Sequence, residues 1–280
     1  MNGRESGSGL LGDTKDRDYA RQLSLFNRFA APELRRAIAS LDLEPGARCL
    51  DAGCGTGEAL PWLRDAAGAN GTVIGMDLST AHLSVARAQI PADVALIQAD
   101  LTKPPIQPGS FDLIWSVNTI NHVCDLHSGL AALRNLLRPG GRIAWGQSAL
   151  LADMYFAWDA RLERMTTAAV RQYYRDKYGL TESDLTAARA LVGMLRRNGF
   201  KDVYARTFAI ERVSPLASED RDYLFDTLFR DKWAARLQPY LSDADHAQLA
   251  LLCNPDSASY ALSRPDFHFL QTFTLVVGSL

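Results

Sequence analysis

Short apolar runs alternate with amphipathic segments of about ten residues between residues 48 and 147, and this alternation restricts the fold most strongly. Strands separated by helices pair in parallel, and a parallel sheet needs helices on both faces. The pattern therefore predicts a doubly wound α/β domain. Its predicted strands are 48–52, 73–77, 94–98, 111–117 and 142–147, and its predicted helices are 58–67, 80–89 and 126–137.

Helical periodicity also flanks this core on both sides. Residues 19–41 are predicted to be helical with a break at Ala31-Pro32. The later predicted elements are helices at 149–178, 184–197 and 218–253 and strands at 203–213 and 269–278. We expect two helical insertions, about 150–180 and 215–265, to form a lid over the carboxyl edge of the sheet, where open α/β sheets bind ligands. Residues 14–280 would then form one domain, and the Gly/Ser-rich residues 1–13 are expected to be disordered.

The charges and the cysteines limit the partners of such a domain. The 30 Lys and Arg residues nearly balance the 32 Asp and Glu residues, and the net charge is -2. This balance does not favour a concentrated basic surface, so neither a nucleic acid nor a membrane partner is predicted. The 4 cysteines have no metal-ligand spacing, so no metal is predicted and free thiols in a reducing compartment are expected. A signal peptide and a long apolar run are both missing from the sequence, which favours a cytoplasmic protein.

A glycine-rich loop, Asp51-Ala-Gly-Cys-Gly-Thr-Gly57, stands between the first predicted strand and the first helix. Glycines allow a ligand to lie against the backbone, and the amides of the following helix offer donors to it. The GxGxG spacing differs from the GxGxxG of dinucleotide folds. A carboxylate at Asp51 would repel a pyrophosphate but accept hydrogen bonds from an ammonium group. The loop therefore predicts a ligand that carries an amino acid.

Two further acids follow the next two predicted strands. Asp77 ends the second strand, where a carboxylate can accept both hydroxyls of a ribose. Asp100 follows the third strand, where it can accept from an adenine amino group while Leu101 packs on the ring. Ordinary roles as a helix-proximal acid for Asp77 and a loop or capping acid for Asp100 remain open. Together with Asp51, the three acids predict sites for an amine, a ribose and an adenine.

Five segments carry a resemblance to a known family. They are CLDAGCGTG (49–57), VIGMDLS (73–79), QADL (98–101), FDLIWSVNTINHV (111–123) and LRPGGRIAW (137–145). On these motifs the chain resembles the class I S-adenosylmethionine-dependent methyltransferases of the ubiquinone/menaquinone type, over about residues 41–213 and the last strand. The resemblance implies a Rossmann-like, doubly wound seven-stranded sheet whose last strand is antiparallel. It also implies S-adenosyl-L-methionine as cofactor and S-adenosyl-L-homocysteine as product.

The same resemblance implies which residues bind the cofactor. The glycines approach the donor, Ser116 and Val117 offer backbone contacts to its methionine part, and the preceding helix with Tyr19 and Arg21 covers it. The full expected cofactor set is Asp51, Gly53, Cys54, Gly55, Gly57, Asp77, Leu78, Asp100, Leu101, Ser116, Val117 and Arg21. Nucleic-acid aminomethylases carry an (Asp/Asn/Ser)-Pro-Pro-(Tyr/Phe) tetrad where this chain has Ser116-Val117-Asn118-Thr119. This difference argues against a nucleobase substrate.

The acceptor side is less constrained by the sequence. His122 follows the fourth strand and is a candidate base or substrate-orienting group, although a packed structural histidine would look the same. Asn118 and Asn121 are candidates for polar contacts or for loop capping. Late aromatic residues either fill the core or line an acceptor pocket. The expected substrate-binding set is Asn121, Tyr155, Trp158, Tyr173, Trp233 and His268. Tyr174 and Phe229 also belong to the aromatic group. Arg161 and Arg230 are candidates for binding an anionic acceptor.

These features together predict methyl transfer to an O, N or C atom of a small acceptor of the secondary-metabolite type, bound beneath the lid. Two alternatives remain at the level of the sequence. One is a non-catalytic protein that keeps the cofactor fold, and the other is a NAD(P)-dependent oxidoreductase. A homodimer is compatible with the sequence, and about fifty residues between Val213 and the last strand leave the acceptor unassigned.

Overall fold

The structure is a computed structural model of the 280-residue chain. It describes residues 19–119, 122–123, 125–149, 155–156, 159–178, 187–229 and 233–280. The segment 1–13, Asn121, Trp158 and Arg230 lie outside these residues.

Strands and helices alternate through the first half of the chain as predicted. The strands are β1 Arg48–Ala52, β2 Thr72–Asp77, β3 Ala95–Gln98, β4 Phe111–Val117, β5 Leu137–Ser148, β6 Tyr155–Phe156, β7 Lys201–Val213 and β8 His268–Ser279. The α-helices are α1 Tyr19–Phe29, α2 Ala31–Ala39, α3 Ala59–Ala67, α4 Thr80–Gln89, α5 Leu126–Leu136, α6 Ala160–Tyr178, α7 Ala187–Arg197, α8 Ser218–Tyr223, α9 Trp233–Leu237 and α10 Asp243–Cys253.

The strands form one mixed sheet. Its order is β3-β2-β1-β4-β5-β8, and β7 pairs with the outer side of β8. Strands β1 to β5 are parallel to one another, while β8 runs antiparallel to both β5 and β7. The predicted seven-stranded sheet with an antiparallel last strand is therefore confirmed.

An eighth strand, β6, lies where helix was predicted across 149–178. Residues Tyr155 and Phe156 pair with Leu270 and Phe269 of β8. Strand β8 is longer than its partner β5, because Ser148 at the end of β5 already pairs with Phe273. The first residues of β8 therefore pass the carboxyl edge of β5 and leave backbone groups that β6 satisfies.

Both faces of the sheet are covered by helices. On one face, Trp115 and Phe273 pack in a core that includes Phe29 of α1. On the other face, Trp145 packs with Leu133 of α5 and with Leu191 and Leu195 of α7. This double cover explains why the strands are rich in apolar residues along their whole length.

The late helical block is broken into short pieces rather than continuous. Between α8 and α9, residues Leu224–Phe229 form a π-helix, and Gln238–Tyr240 and Ala261–Ser263 form 3-10 turns. Helix α10 begins at a local cap in which the Ser242 hydroxyl accepts a 3.2 Å hydrogen bond from the Asp245 amide. None of the helices in the described ranges is long and apolar enough to cross a membrane.

Candidate functional site

The glycine-rich loop joins β1 to α3 at the carboxyl edge of the sheet. Gly53, Gly55 and Gly57 have φ angles of 82°, 54° and 86°, a region that side chains other than glycine rarely adopt. The Gly53 amide also donates a 2.7 Å hydrogen bond to the Met76 carbonyl oxygen of β2. The loop is therefore shaped by its backbone and attached to the neighbouring strand.

Other residues of the protein pack closely against the three glycines. A Cβ atom on Gly53 would lie 2.4 Å from Thr119 Oγ1, and one on Gly57 would lie 2.9 Å from the Cβ of Ala86 in α4. A Cβ on Gly55 would lie 3.4 Å from a methyl carbon of Leu23 in α1. Packing inside the protein therefore requires glycine at positions 53 and 57, in addition to any need for the close approach of a cofactor.

Asp77, at the end of β2, holds this loop in place. Its Oδ2 accepts a 2.8 Å hydrogen bond from the Gly55 amide, and its Oδ1 accepts a 2.9 Å bond from the Ser79 amide. Burial alone would raise the pKa of Asp77, but the hydrogen bonds from His82, Ser79 and Gly55 lower it below its usual value. The carboxylate has about four acceptor positions and these three donors use three of them, so one position remains for a hydroxyl of a ligand.

Asp51 is a buried acid without a donor. Its side chain lies at the end of β1, and no hydrogen bond to its carboxylate occurs within the part of the chain that the structure describes. Burial raises the pKa of Asp51 to about 8, and the nearby charges of Asp77 and Glu58 add to this effect. A ligand ammonium would stabilise the ionised form of this acid, so the position suits a ligand that carries an amino acid.

Glu58 and its partners were not found by sequence reasoning. The Thr56 hydroxyl donates to both carboxylate oxygens of Glu58, at 2.9 and 2.7 Å, and Asn27 of α1 donates to the same group at 3.1 Å. Glu58 therefore connects α1 to the start of α3 and adds a second acid beside Asp51. Its place directly after the last glycine of the motif was the signal available in the sequence.

Cys54 turns its side chain away from the open side of the loop. A Cβ on Gly75 of β2 would lie 3.0 Å from the Cys54 sulfur atom, and Cys54 is buried. Burial, followed by the charges of Asp51 and Asp77, raises the pKa of the Cys54 thiol. Only the backbone of Cys54 is therefore available for a cofactor.

Leu78, Asp100 and Leu101 lie at the adjoining ends of β2 and β3. The Leu78 side chain is 66% exposed, which is unusual for a large apolar residue, and Leu101 is half-buried. Asp100 is exposed and accepts hydrogen bonds from the Thr102 amide and hydroxyl at 2.8 and 2.9 Å. Asp100 thus has the loop role that the sequence left open, while the exposed Leu78 offers an apolar surface for a planar ring.

The end of β4 links three strands. The buried Ser116 hydroxyl donates a 2.8 Å bond to the Ala52 carbonyl oxygen of β1. Asn118 has a φ of 56°, and its Oδ1 accepts a 2.8 Å bond from the Ser148 amide of β5. Asn118 therefore has the loop-capping role, and it leaves Val117 half-buried at the edge.

His122 lies in the turn that follows. It is half-buried, and its amide donates a 2.9 Å bond to the Thr119 carbonyl oxygen. The same turn contains Thr119, which approaches Gly53 of the glycine loop. The structure therefore brings the backbone of His122 to the same edge of the sheet as the loop.

Helix α1 covers the glycine loop. Leu23 approaches Gly55, and the Arg21 guanidinium forms an ion pair with Asp226 in the π-helical segment. Arg21 is therefore placed between α1 and the late helices, with a side chain that is 54% exposed. The Tyr19 side chain is not among the described ones.

The candidate acceptor residues fall into separate environments. Tyr173 packs edge-on against Tyr174 and Tyr240, with ring centroids 5.8 and 6.4 Å apart, in the manner of core filling. His268 lies 2.8 Å from Glu211 on the β7–β8 ribbon, and Arg161 pairs with Asp245 of α10. Phe229 is buried. The side chains of Tyr155 and Trp233 lie outside the described part of the structure.

Comparisons with known proteins identify the family. A family model described as a methyltransferase domain matches residues 50–145, from β1 to β5. The malonyl-[acyl-carrier protein] O-methyltransferase of Pseudescherichia vulneris is 32% identical over 173 residues, which are 58% of this chain and 67% of that protein. This chain belongs to the class I S-adenosylmethionine-dependent methyltransferases.

Other similarities to this methyltransferase are partial or extend only to the fold. The demethylmenaquinone methyltransferase of Shouchella clausii is 26% identical over 60% of this chain and 76% of that protein. The first two curated relatives are matched over only 39% and 38% of their length. A chain in the solved complex between the Haloferax volcanii Trm112 methyltransferase activator and its methyltransferase has the same fold, with a TM-score of 0.57, 19% identity, and 92% of this chain and 93% of that chain covered.

The region matched by the family model contains most of the residues that the sequence predicts for cofactor binding. It includes the glycine loop, Asp77, Asp100 and the end of β4, whereas α6 to α10 follow it in the chain. S-adenosylmethionine is the cofactor of the family. The family match therefore supports the residues that are expected to bind the methyl donor. It does not identify the residues that bind the methyl acceptor.

Proposed function

We propose that this chain transfers a methyl group from S-adenosylmethionine to an O, N or C atom of a small acceptor of the secondary-metabolite type. The observation that carries the proposal is Asp51, a buried acid to which no group of the described residues donates a hydrogen bond, beside a glycine loop that is held by Asp77. When bound, S-adenosylmethionine supplies an activated methyl group on a sulfonium, so the transfer is an in-line displacement at carbon.

The proposed donor site orients the cofactor through three contacts. Asp51 accepts from the ammonium of the methionine part, Asp77 accepts from a ribose hydroxyl, and Leu78 packs on the adenine. Asp100 and the backbones at Ser116 and Val117 complete the set that we propose. Since Ser116 ties β4 to β1 through Ala52, the methionine contacts are built on rigid strands.

The proposed acceptor site lies beyond the ends of β4 and β5, on the side closed by the late helices. Its task is to hold the attacking atom about 3 Å from the methyl group and to exclude water. We propose His122 as the group that accepts a proton when the acceptor must lose one. His122→Gln should then lower kcat for a protonated acceptor and leave the affinity for S-adenosylhomocysteine unchanged.

Isothermal titration with S-adenosylmethionine and S-adenosylhomocysteine tests the donor half of the proposal. We expect both to bind, and the absence of binding by either would refute it. Incubation with S-adenosylmethionine labelled in its methyl group tests turnover. Tight cofactor binding without labelled product from any acceptor would favour a non-catalytic cofactor-binding protein, and binding of NADH instead would favour an oxidoreductase.

A further inference from the structure

Two buried polar atoms at the carboxyl edge of the sheet, on neighbouring strands, have no hydrogen-bond partner among the residues that the structure describes. They are the Ser148 hydroxyl oxygen, at the end of β5, and the Gln271 Oε1, in β8. Ser148 and Gln271 are 7% and 2% exposed. Buried polar atoms nearly always have a hydrogen-bond partner, so two such exceptions side by side call for a physical explanation.

Strand register places both side chains on one face. Ser148 pairs with Phe273, and Gln271 lies two residues from Phe273, so their side chains point the same way. A Cβ on Gly146 would meet Phe273 at 2.5 Å and Val117 at 3.0 Å, so Val117 also lies on this face. The two orphaned atoms therefore border the end of β4, where the methionine part of the cofactor is proposed to lie.

The amide of Gln271 is already oriented. Its Nε2 donates a 3.1 Å hydrogen bond to the Ala149 carbonyl oxygen, which directs Oε1 towards a different partner. The Ser148 amide is likewise used, since it donates to Asn118. The protein thus fixes both residues by their other groups and leaves one oxygen of each unsatisfied.

The chemistry of these oxygens selects the group that they can bind. The Gln271 Oε1 only accepts hydrogen bonds, while a serine hydroxyl can accept or donate. An ionised carboxylate has no proton to donate, so it would leave Oε1 unsatisfied. Arg212, whose side chain is on the same face beside Phe269, is already held by Glu33 and Asp220.

We propose that Ser148 and Gln271 bind the methyl acceptor through a neutral hydroxyl group, and that the substrate class is a hydroxyl-bearing small molecule rather than a carboxylate. This proposal rests on the proposed function and deepens it on the acceptor side. The acceptor hydroxyl donates its one proton to Gln271 Oε1 and accepts a hydrogen bond from the Ser148 hydroxyl. The rings of the buried Tyr223 and Phe29, stacked 4.2 Å apart, supply apolar surface on the same side of the sheet, and the Tyr223 side chain is hydrogen-bonded to that of Gln271.

Substitutions at these positions separate binding from folding. Ser148→Ala removes an oxygen that bonds nothing in the free protein, so we expect its Tm to stay within about 2 °C of the wild type. Gln271→Met removes Oε1 but also the bond to Ala149, so Ser148→Ala is the cleaner variant. Gln147→Met is the matched control, because Gln147 is adjacent and carries an equally unpartnered Oε1 but pairs with Thr274 on the opposite face.

Two acceptor probes test the substrate class. We would use 1,4-dihydroxynaphthalene, kept reduced, as the neutral hydroxyl probe and S-malonyl-N-acetylcysteamine as the carboxylate probe, each with methyl-labelled S-adenosylmethionine. We expect methylation of the hydroxyl probe, a loss of about tenfold or more in kcat/KM in Ser148→Ala and Gln271→Met, and no loss in Gln147→Met. The affinity for S-adenosylhomocysteine should be equal in all three variants.

Each contrary result overturns the inference. The inference is refuted if the enzyme prefers the malonyl probe or binds neither probe. It is also refuted if Ser148→Ala keeps the wild-type kcat/KM or shows a large fall in Tm. In all of these cases, retained binding of S-adenosylhomocysteine by calorimetry would leave the proposed donor site standing. Loss of that binding in the wild type would instead refute the proposed function itself.

Discussion

The Gly55 amide lies 2.8 Å from Oδ2 of Asp77, so the acid that ends β2 holds the middle of the glycine loop that follows β1. The two residues are 22 positions apart in the chain. Because the same carboxylate is proposed to bind the ribose, the shape of the loop and the recognition of the nucleoside depend on one side chain. A change at Asp77 should therefore affect the whole cofactor.

Asp77→Ala should weaken S-adenosylhomocysteine binding by about a hundredfold or more. The ligand loses a hydrogen bond to a charged group, which is worth about 1.5–3 kcal/mol, and the glycine loop loses the bond that supports it. Calorimetry measures the affinity. Asp93→Ala, which removes an exposed acid paired with Arg64, is the control and should bind normally. An unchanged affinity in Asp77→Ala would refute the ribose assignment.

Asp51 should make the protein less stable as the pH rises. Burial raises its pKa to about 8 in the folded state from the ordinary 3.8 of an aspartic acid, so the folded protein keeps a proton that the unfolded chain releases. Between these values, the group lowers the free energy of unfolding by up to about 1.4 kcal/mol per pH unit. Asp51→Asn, which mimics the protonated acid, should lack this slope. Urea denaturation of both proteins at pH 5.5 and 7.5 gives the difference, and equal slopes would contradict the prediction.

Cofactor binding should release a proton near pH 7. An ammonium beside Asp51 favours the ionised carboxylate, so the ligand should drive off the proton that the free protein holds. Titration of S-adenosylhomocysteine in two buffers with different ionisation enthalpies measures this release. The wild type should show a fraction of a proton released, and Asp51→Asn should show less. Identical proton release by the two proteins would place the ammonium elsewhere.

Gly57→Ala should destabilise the fold more than Gly109→Ala. Both glycines have positive φ, 86° and 68°, so alanine strains the backbone by roughly 1–2 kcal/mol at either site. Only at Gly57 would the new Cβ meet another atom closely, at 2.9 Å from Ala86, whereas nothing lies within 4 Å of it at Gly109. Overpacking should add about 1–3 kcal/mol at Gly57. Equal free energies of unfolding would show that α4 moves without cost.

Arg212→Met should lower the free energy of unfolding by about 3–5 kcal/mol. The Arg212 guanidinium binds Glu33 at 3.0 Å and Asp220 at 2.8 Å, and it lies over the Phe29 ring at 4.7 Å. Its loss would leave the buried Glu33 with a weaker set of partners. Arg264→Met breaks an exposed pair with Asp266 and should cost less than about 1 kcal/mol. Similar losses in the two variants would contradict the role of the buried network.

The strand and helix pattern of the first half was predictable because it depends on local periodicity. Helix α4 has the predicted bounds, Thr80–Gln89, since Ser79 caps it through the His82 amide at 3.2 Å. Strand β6 was not predictable from the sequence, because it pairs with the residues of β8 that extend beyond the end of β5. The π-helical break at Leu224–Phe229 was likewise hidden within a continuous helical pattern.

The sequence alone determined the glycine loop, the acids at three strand ends and the family. Each of these motifs is a short segment that directly follows a strand in the chain, so the strand fixes its position. Tertiary structure decided the rest. Burial against other charges sets the pKa of Asp51, and packing on Thr119 and Ala86 adds a second need for Gly53 and Gly57. Ser148 and Gln271 lie on one face because Ser148 pairs with Phe273 of an antiparallel strand more than a hundred residues later, and no local pattern records such a register.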